Sequence, residues 1–411
     1  MDAHSPLVVF NAHLLARDAS YRSAGISVYI ESLLRELSGA DYGLRLRVLL
    51  GKDAGPLELP VGLGTPEQPT ITAETKSRLP TGRAWQRVLW EQTVLPVRLR
   101  QMTADLVHAP AFISPLAANC PVVVTVPDLS FLRYPQFFRR GNRLYLRTLT
   151  GVACRRAAAV IALSKHTAQE VHRLLGIPES RIFTVYPGVA PRFRRLPAEQ
   201  VTRFRQERGL PDRFILYLGT LEPRKNLIRL VRAFSRLRDP DLHLVLAGAK
   251  GWFYESVFAE VERLGLGARV HFAGYVPAEE QAFWYNAAHA FAYVSVYEGF
   301  GMPVLEALAC GIPTVTSTTT SLPEAGGPGV MLVSPDDEVA LADALNNVLN
   351  DASARDALQE AGLRHVAGFT WEKAARQTAD VYHLALARSR TTFRRPPALE
   401  PNPDDPIIET R

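Results

Sequence analysis

Little in this 411-residue chain suits a disulfide scaffold, a membrane span or a metal cage. Its three cysteines, Cys120, Cys154 and Cys310, are odd in number and widely separated. They match neither zinc-ligand spacing nor a bridged secreted framework, and they predict reduced thiols in the cytoplasm. No apolar run approaches the ~20 residues of a membrane-spanning helix. The opening MDAHSPLVVFNAHLL has no basic segment ahead of an apolar one, so no signal peptide is expected. No GxGxxG follows the first strand-like run, which argues against a dinucleotide-dependent dehydrogenase, and no GxxxxGK loop, HExxH pair or internal repeat is present. What is there, at 47% hydrophobic and 21% charged, is a globular composition long enough for two domains.

Acidic residues are also locally scarce. Residues 1–196 carry a net charge of +11, whereas 197–411 carry −5. From Leu129 to Gln169 no Asp or Glu interrupts Arg133, Arg139, Arg140, Arg143, Arg147, Arg155, Arg156 and Lys165. Such a stretch is either a solvated basic face or a surface that attracts an anionic membrane or acceptor. No nucleic-acid-binding motif accompanies the charge, so nucleic acid is not an expected partner.

Short β-branched runs alternate with helical patterns. PLVVFNA, RLRVLL, DLVHAP, PVVVTV, AAVIALS and RIFTVYP read as strands of a first domain; FILYLG, LHLVLAG, VHFAGYV, HAFAYVS and PTVTS read as strands of a second. Near-continuous apolar strands separated by helices predict an α/β fold of two doubly wound, Rossmann-like domains with parallel sheets covered on both faces. Ligands of such sheets bind beyond the carboxyl ends of the strands, which makes the cleft between the domains the expected site. The boundaries expected are 1–196 for the first domain, 197–370 for the second and 371–388 for a late helix that Thr370 caps, with a disordered Pro- and charge-rich tail at 389–411. The polar stretch from Arg194 to Asp212 reads as the linker.

Two stretches carry chemistry. In SVYEGFGMPVLEALACGIPTVTS, Gly299 and Gly301 permit a turn and a close approach of ligand to backbone, Pro303 suits a first helical position, and Gly311 suits the residue past the helix end. A helix N-terminus behind a glycine loop favours an anion. Glu306, about one turn into that helix, leans back toward the region that Glu298 borders. Carboxylates repel phosphate but bind hydroxyls, so the pattern points to a sugar nucleotide; an ordinary loop with two solvated glutamates is the alternative. In FILYLGTLEPRKNLIRLVRAFSRL, Arg224 and Lys225 precede a helix whose expected N-cap is Asn226. Two cations at a helix N-terminus can neutralise a diphosphate without a divalent metal.

These motifs resemble the retaining GT-B glycosyltransferases of family 4, which include many mannosyl- and glucosyltransferases. The likeness spans most of residues 7–388. The family's Glu-x7-Glu stands here as Glu298-GFGMPVL-Glu306, YLGTLEPRKNL resembles the diphosphate loop, and GAKGW, FAGYV, LVSPDD, SAGISVYIESLLREL and TVPDLSFLRYP resemble other family segments. The resemblance implies a GT-B fold whose C-terminal helix returns to the N-terminal domain. It implies Lys225 and Arg224 on the diphosphate, Glu306 on the ribose, Glu298 on the donor sugar, and the amides of Phe300 and Gly301 on sugar or phosphate oxygens. Gly299, Gly219, Thr220, Tyr275 and Val276 are also expected along the donor, with Gly25 letting the first domain close on the diphosphate. Asp128 is expected with Glu298, Lys225 and Arg224 in the catalytic set, where either it or a backbone group substitutes for the histidine usual at position 127, or donor preference differs.

Two positions depart from the family pattern. Pro127 stands where relatives usually have His, and the glycine loop reads Gly25-Ile26-Ser27-Val28-Tyr29 without the second glycine and the arginine of Gly-Ile-Gly-Arg-Tyr. The activity implied is transfer of a hexose, with GDP-mannose the first choice and UDP- or dTDP-sugars open, to a saccharide or lipid-linked acceptor in polysaccharide or glycolipid assembly. No cofactor and no metal is implied. A sugar-nucleotide epimerase and a non-catalytic sugar-nucleotide-binding subunit are the rival readings. A cytoplasmic location is expected, with peripheral contact at the inner face of the membrane left open.

Overall fold

The computed structural model describes residues 5–15, 25–51, 71–75, 84–138 and 140–392. The first sheet contains β1 (Leu7–Ala12), β2 (Arg45–Leu50), β3 (Ile71–Thr75), β4 (Leu106–Ala109), β5 (Val122–Val126), β6 (Ala159–Ala162) and β7 (Ile182–Thr184). The second contains β8 (Arg213–Leu218), β9 (Leu242–Ala247), β10 (Val270–Gly274), β11 (Ala290–Tyr293), β12 (Thr314–Ser317) and β13 (Val330–Val333). Their orders are β3-β2-β1-β4-β5-β6-β7 and β10-β9-β8-β11-β12-β13, with parallel pairing throughout, for example β1 with β4 and β8 with β11. Both sheets therefore reverse their winding beside their first strand, at β1/β4 and at β8/β11, and the crevices beyond those strand ends are the natural ligand sites.

Burial on both faces explains the strand sequences: all six residues of β1, and Val122–Val126 throughout β5, are buried. β3 and β13 were not among the expected strands. VMLV is only four residues long behind a Gly-Pro-Gly turn, and ITAET has one strongly apolar position, so neither stands out as a run.

The Arg194–Asp212 stretch is not a bare linker. It contains the helix Ala198–Arg208, whose Phe204 packs on Phe283 and Trp284 at ring separations of 5.2 and 5.8 Å, fixing it to the second domain. The last helix runs from Trp371 to Thr392, four residues further than expected. Its start is capped by Thr370, whose hydroxyl oxygen accepts the Lys373 amide at 3.1 Å. The helix returns to the first domain, where the Tyr382 hydroxyl meets His108 Nδ1 at 2.6 Å and His108 Nε2 meets the Thr125 hydroxyl at 2.8 Å. Burial holds His108 neutral, at about 3. The tail expected to be disordered lies outside the described residues beyond Thr392. All three cysteines are free thiols.

Candidate active site

The loops after β8 and β11 meet across the reversal of the second sheet. The first turns through Gly219 and Thr220 into the short 3-10 turn Pro223–Lys225, and the second carries Tyr297 and Glu298. The Val296 amide donates to the Arg224 carbonyl at 2.9 Å, so the two loops are joined through their backbones. Gly248 packs on this loop so closely that a Cβ on it would stand 1.9 Å from the Gly219 oxygen, and a Cβ on Gly219 would stand 2.9 Å from the Tyr217 hydroxyl oxygen.

At this junction Lys225 Nζ donates to Glu298 Oε1 at 2.7 Å and to the Tyr293 hydroxyl at 2.6 Å. Arg224 Nη1 donates to Glu298 Oε2 at 2.8 Å, and its Nε lies 2.5 Å from Glu222 Oε1. Glu222, Lys225 and Glu298 are buried, whereas Arg224 is partly exposed. Two cations and two carboxylates thus form a quartet with no net charge. Burial would raise the Glu298 carboxyl, but Arg224 and Lys225 beside it hold it at about 2, so it is ionised. Burial, reinforced by Arg224, lowers Lys225 against the pull of Glu298 and Glu222. Burial also opposes the charge on Arg224, yet the carboxylates of Glu222, Glu298 and Asp128 keep it firmly protonated.

Glu222 and Tyr293 escaped sequence reasoning. The signal for Glu222 was its place two residues ahead of Arg224, a spacing that lets a carboxylate fold back onto the cation. Asn226 occupies the position before the helix Leu227–Ser235 but does not cap it with its side chain. Its backbone is left-handed, at φ 62°, and its amide nitrogen is drawn away to the carbonyls of Val294 and Pro335, at 3.1 and 2.7 Å.

The Glu298–Glu306 segment folds as a loop and the helix Met302–Ala309, with Pro303 at the second helical position rather than the first. Gly301 takes φ 107° before the helix and Gly311 φ 69° after it, conformations that favour glycine. Gly299 serves a different purpose from the one expected. A Cβ there would stand 2.0 Å from the Pro127 carbonyl oxygen and 2.9 Å from Asp128 Cβ, so the space is filled by a loop of the first domain. Phe300 is buried against Tyr186 and Phe369, with ring centroids at 5.6 and 5.8 Å. Neither its amide nor that of Gly301 donates to a backbone carbonyl among the described residues.

The two glutamates have separate partners. Glu306 is half-buried, accepts the Tyr285 hydroxyl at 2.8 Å, and has its carboxyl raised by burial, with Tyr285 and Arg192 opposing. Asp128 is half-buried at the end of β5, and its Oδ1 accepts both the amide and the hydroxyl of Ser130, at 2.8 and 2.5 Å. Tyr275 is exposed and Val276 buried beyond the carboxyl end of β10. Gly25 immediately precedes the helix Ile26–Gly39 with φ 50°, and residues 16–24 before it lie outside the described set.

Two doubly wound domains, closed together by a returning helix and carrying charged loops at the β8/β11 reversal, define a GT-B fold. Sucrose-phosphate synthase from Thermosynechococcus elongatus has this fold: its TM-score is 0.75 at 23% identity, covering 93% of this chain and 99% of that one. Anabaena HepE in complex with UDP and glucose gives a TM-score of 0.69 at 20% identity over 92% and 99% of the two chains. Two family models match in tandem, Glycosyltransferase Family 4 at residues 23–193 and Glycosyl transferases group 1 at residues 199–365. An O-antigen chain mannosyltransferase B of Escherichia coli is 32% identical over 293 residues, covering 70% of this chain and 76% of that protein. A serotype-specific mannosyltransferase of the same organism is 30% identical over 296 residues, although the match spans only 35% of its length. The chain belongs to the group 1, family 4 glycosyltransferases.

Proposed function

We propose that this enzyme transfers mannose from GDP-mannose, with retention at the sugar carbon, to an acceptor hydroxyl of a growing polysaccharide or glycolipid. The observation that carries the reading is the buried Lys225–Glu298–Arg224 cluster at the β8/β11 reversal. It is supported by mannosyltransferase relatives at 30% and 32% identity. A diphosphate arriving there adds negative charge, so it competes with Glu298 and Glu222 for the two cations. Arg224 Nη2 makes no hydrogen bond to another described residue, which leaves a guanidinium donor for phosphate.

In this reading Arg224, Lys225 and the amides of Phe300 and Gly301 stabilise the charge that grows on the leaving diphosphate. Glu298, displaced from the cations by phosphate, turns to the hydroxyls of the transferred sugar, whose transition state resembles an oxocarbenium ion. Glu306 takes the ribose hydroxyls. Asp128, brought in from the first domain, stands on the acceptor side and takes the place of the missing histidine at Pro127. The cations supply the positive charge without a divalent metal, so activity persists in EDTA. Titrating the protein with GDP-mannose, UDP-glucose and a dTDP-hexose, and reading thermal stabilisation and nucleotide release, tests the donor. Stabilisation by GDP-mannose above the others is expected, and a preference for a UDP- or dTDP-sugar overturns that choice.

Contact with an anionic membrane belongs to the same proposal. On the helix Ala84–Gln101, Trp85, Leu89 and Val97 are exposed on one i, i+4 stripe, while its acid, Glu91, is buried. The helix Arg140–Arg156 exposes Leu144 beside Arg143, Arg147, Arg155 and Arg156 and contains no acid. Both helices hold the same loop: Gln92 Nε2 donates to the Ser114 carbonyl at 2.9 Å and Arg156 Nη1 to that of Leu116 at 2.8 Å. Apolar side chains flanked by arginine suit an anionic lipid surface. Arg133 is paired with Glu170, and Arg139 lies outside the described residues. Among the described residues no helix is long and apolar enough to cross a membrane.

A further inference from the structure

The residue before Glu298 faces the opposite way. Tyr297 is 1% exposed; its hydroxyl oxygen accepts the Leu129 amide at 3.0 Å, and its proton goes to Glu170 Oε2 at 2.5 Å. Glu170, buried in the helix Lys165–Leu175 of the first domain, is held in turn by Arg133 Nε at 2.6 Å, with His166 Nε2 at 3.7 Å from the same carboxylate. Burial would raise the Glu170 carboxyl, but these donors lower it, so it stays a carboxylate that accepts from Tyr297. On the other side of Glu298, the Gly299 carbonyl accepts the Thr167 hydroxyl at 3.1 Å, from that same helix. Of three consecutive residues, the outer two are therefore tied to the first domain and the middle one to the cations of the second.

A second bond set fixes the start of the helix. The Glu324 carboxylate, from the second domain, accepts the amides of Lys165 and His166, each at 2.8 Å, and the Tyr186 hydroxyl at 2.9 Å. With the helix clamped at its first turn, Glu170 meets Tyr297 at one place. Leu129, the residue whose amide Tyr297 holds, directly follows Asp128. Asp128 in turn lies within electrostatic reach of Arg224.

We propose that Tyr297 is a positioning residue that, seated on Glu170, sets the Asp128 loop in register with Glu298, so that the acceptor side and the donor side of the site are aligned by one hydroxyl. This rests on the transferase reading above, and it assigns to the pair a role in turnover rather than in donor affinity. The Tyr297 hydroxyl bonds neither cation; Arg224 Nη1 reaches the Tyr297 carbonyl, at 3.2 Å, a backbone contact that Tyr297→Phe retains, so the geometry of the cations should be unchanged. It does release the loop on which Asp128 stands, and misplacement of a reacting group costs rate rather than binding.

The test uses Tyr297→Phe, Glu170→Ala and Glu170→Gln in the full chain. In Tyr297→Phe, amide hydrogen exchange of the segment 128–133 should quicken while that of β8 and β11 is unchanged. kcat should fall by about tenfold or more, the scale of a lost hydrogen bond to a charged group, while the affinity for GDP stays within about twofold. Glu170→Gln, which can still accept from Tyr297, should keep more of kcat than Glu170→Ala. Unchanged exchange at 128–133, or kcat and GDP affinity falling together in all three variants, overturns the proposal. If the wild type turns over none of the nucleotide sugars, the functional reading fails, and the exchange measurement still decides whether Tyr297 holds the loop.

Discussion

Replacing Glu298 by Gln removes one charge from a neutral, largely buried quartet and leaves the two cations with Glu222 beside them and Asp128 within electrostatic reach of Arg224. The magnitude follows from the structure. Holding this carboxyl at about 2 instead of its ordinary 4.5 corresponds to ~3 kcal/mol in favour of the ionised form. The carboxylate is depressed in the fold, so this stability is present above about pH 4.5 and is lost as pH falls toward 2. At pH 7.5 Glu298→Gln should therefore unfold at a lower temperature, by roughly 6–12 °C for a domain of this size. The same change frees Arg224 and Lys225 for phosphate, so GDP should bind at least as tightly as to the wild type and should restore much of the lost melting temperature. If Glu298 faces the sugar ring in the transition state, as proposed above, turnover should drop by ~100-fold or more. Scanning calorimetry with and without GDP, isothermal titration and steady-state rates on the same preparations make the comparison. A melting temperature equal to that of the wild type, or GDP affinity weakened about tenfold, would refute the reasoning.

Gly299→Ala places a methyl group 2.0 Å from the Pro127 oxygen, a backbone atom that cannot yield. The two domains must part to admit it, so kcat should fall about tenfold or more while GDP binding, which the proposed function assigns to the second domain, changes little; rates and titration on one sample check this. Glu91, buried at the side of the first sheet with Asn11 Nδ2 on Oε1 at 3.1 Å, has its carboxyl pushed by burial to about 7, against the pull of Arg87 and Asn11. The unfolded chain ionises this group above about pH 4.5 and the folded chain only above about 7, so its cost grows between those values and is constant beyond. Glu91→Gln should accordingly raise the melting temperature more at pH 8 than at pH 5; an equal effect at both would reject the assignment.

Much of the architecture was legible because a parallel sheet covered on both faces demands apolar runs, and β1, β5, β8 and β9 supply them. β13 and β3 were not legible, since their pairing with β12 and β2 rather than their composition makes them strands. Arg224, Lys225 and Glu298 were read as one site from loops 73 or 74 residues apart, and they do touch. What could not be read was how the charges are shared. Glu222 turns the expected pair of free cations into a balanced quartet, and only the fold brings it to Arg224 with Glu298 opposite. Gly299 was read as room for ligand, and its neighbour proved to be Pro127, because a close approach by chain and one by ligand leave the same mark on a sequence. The bond between Tyr297 and Glu170 spans 127 residues and two domains, with no local pattern to announce it.

The most direct test of the central claim, that the Arg224–Lys225 turn receives the diphosphate of a sugar nucleotide, is the affinity for GDP of wild type, Lys225→Ala and Arg229→Ala by isothermal titration in EDTA. Arg229 is a half-exposed cation of the following helix, paired with Asp336 at 3.0 Å and donating to Asn226 Oδ1 at 3.1 Å, and serves as the control for a cation that bonds neither Glu298 nor Glu222. The account predicts that GDP binds the wild type without metal, that Lys225→Ala weakens it by about tenfold or more, and that Arg229→Ala leaves it within about twofold. Equal affinity for wild type and Lys225→Ala, or binding that appears only when Mg²⁺ is added, would contradict it.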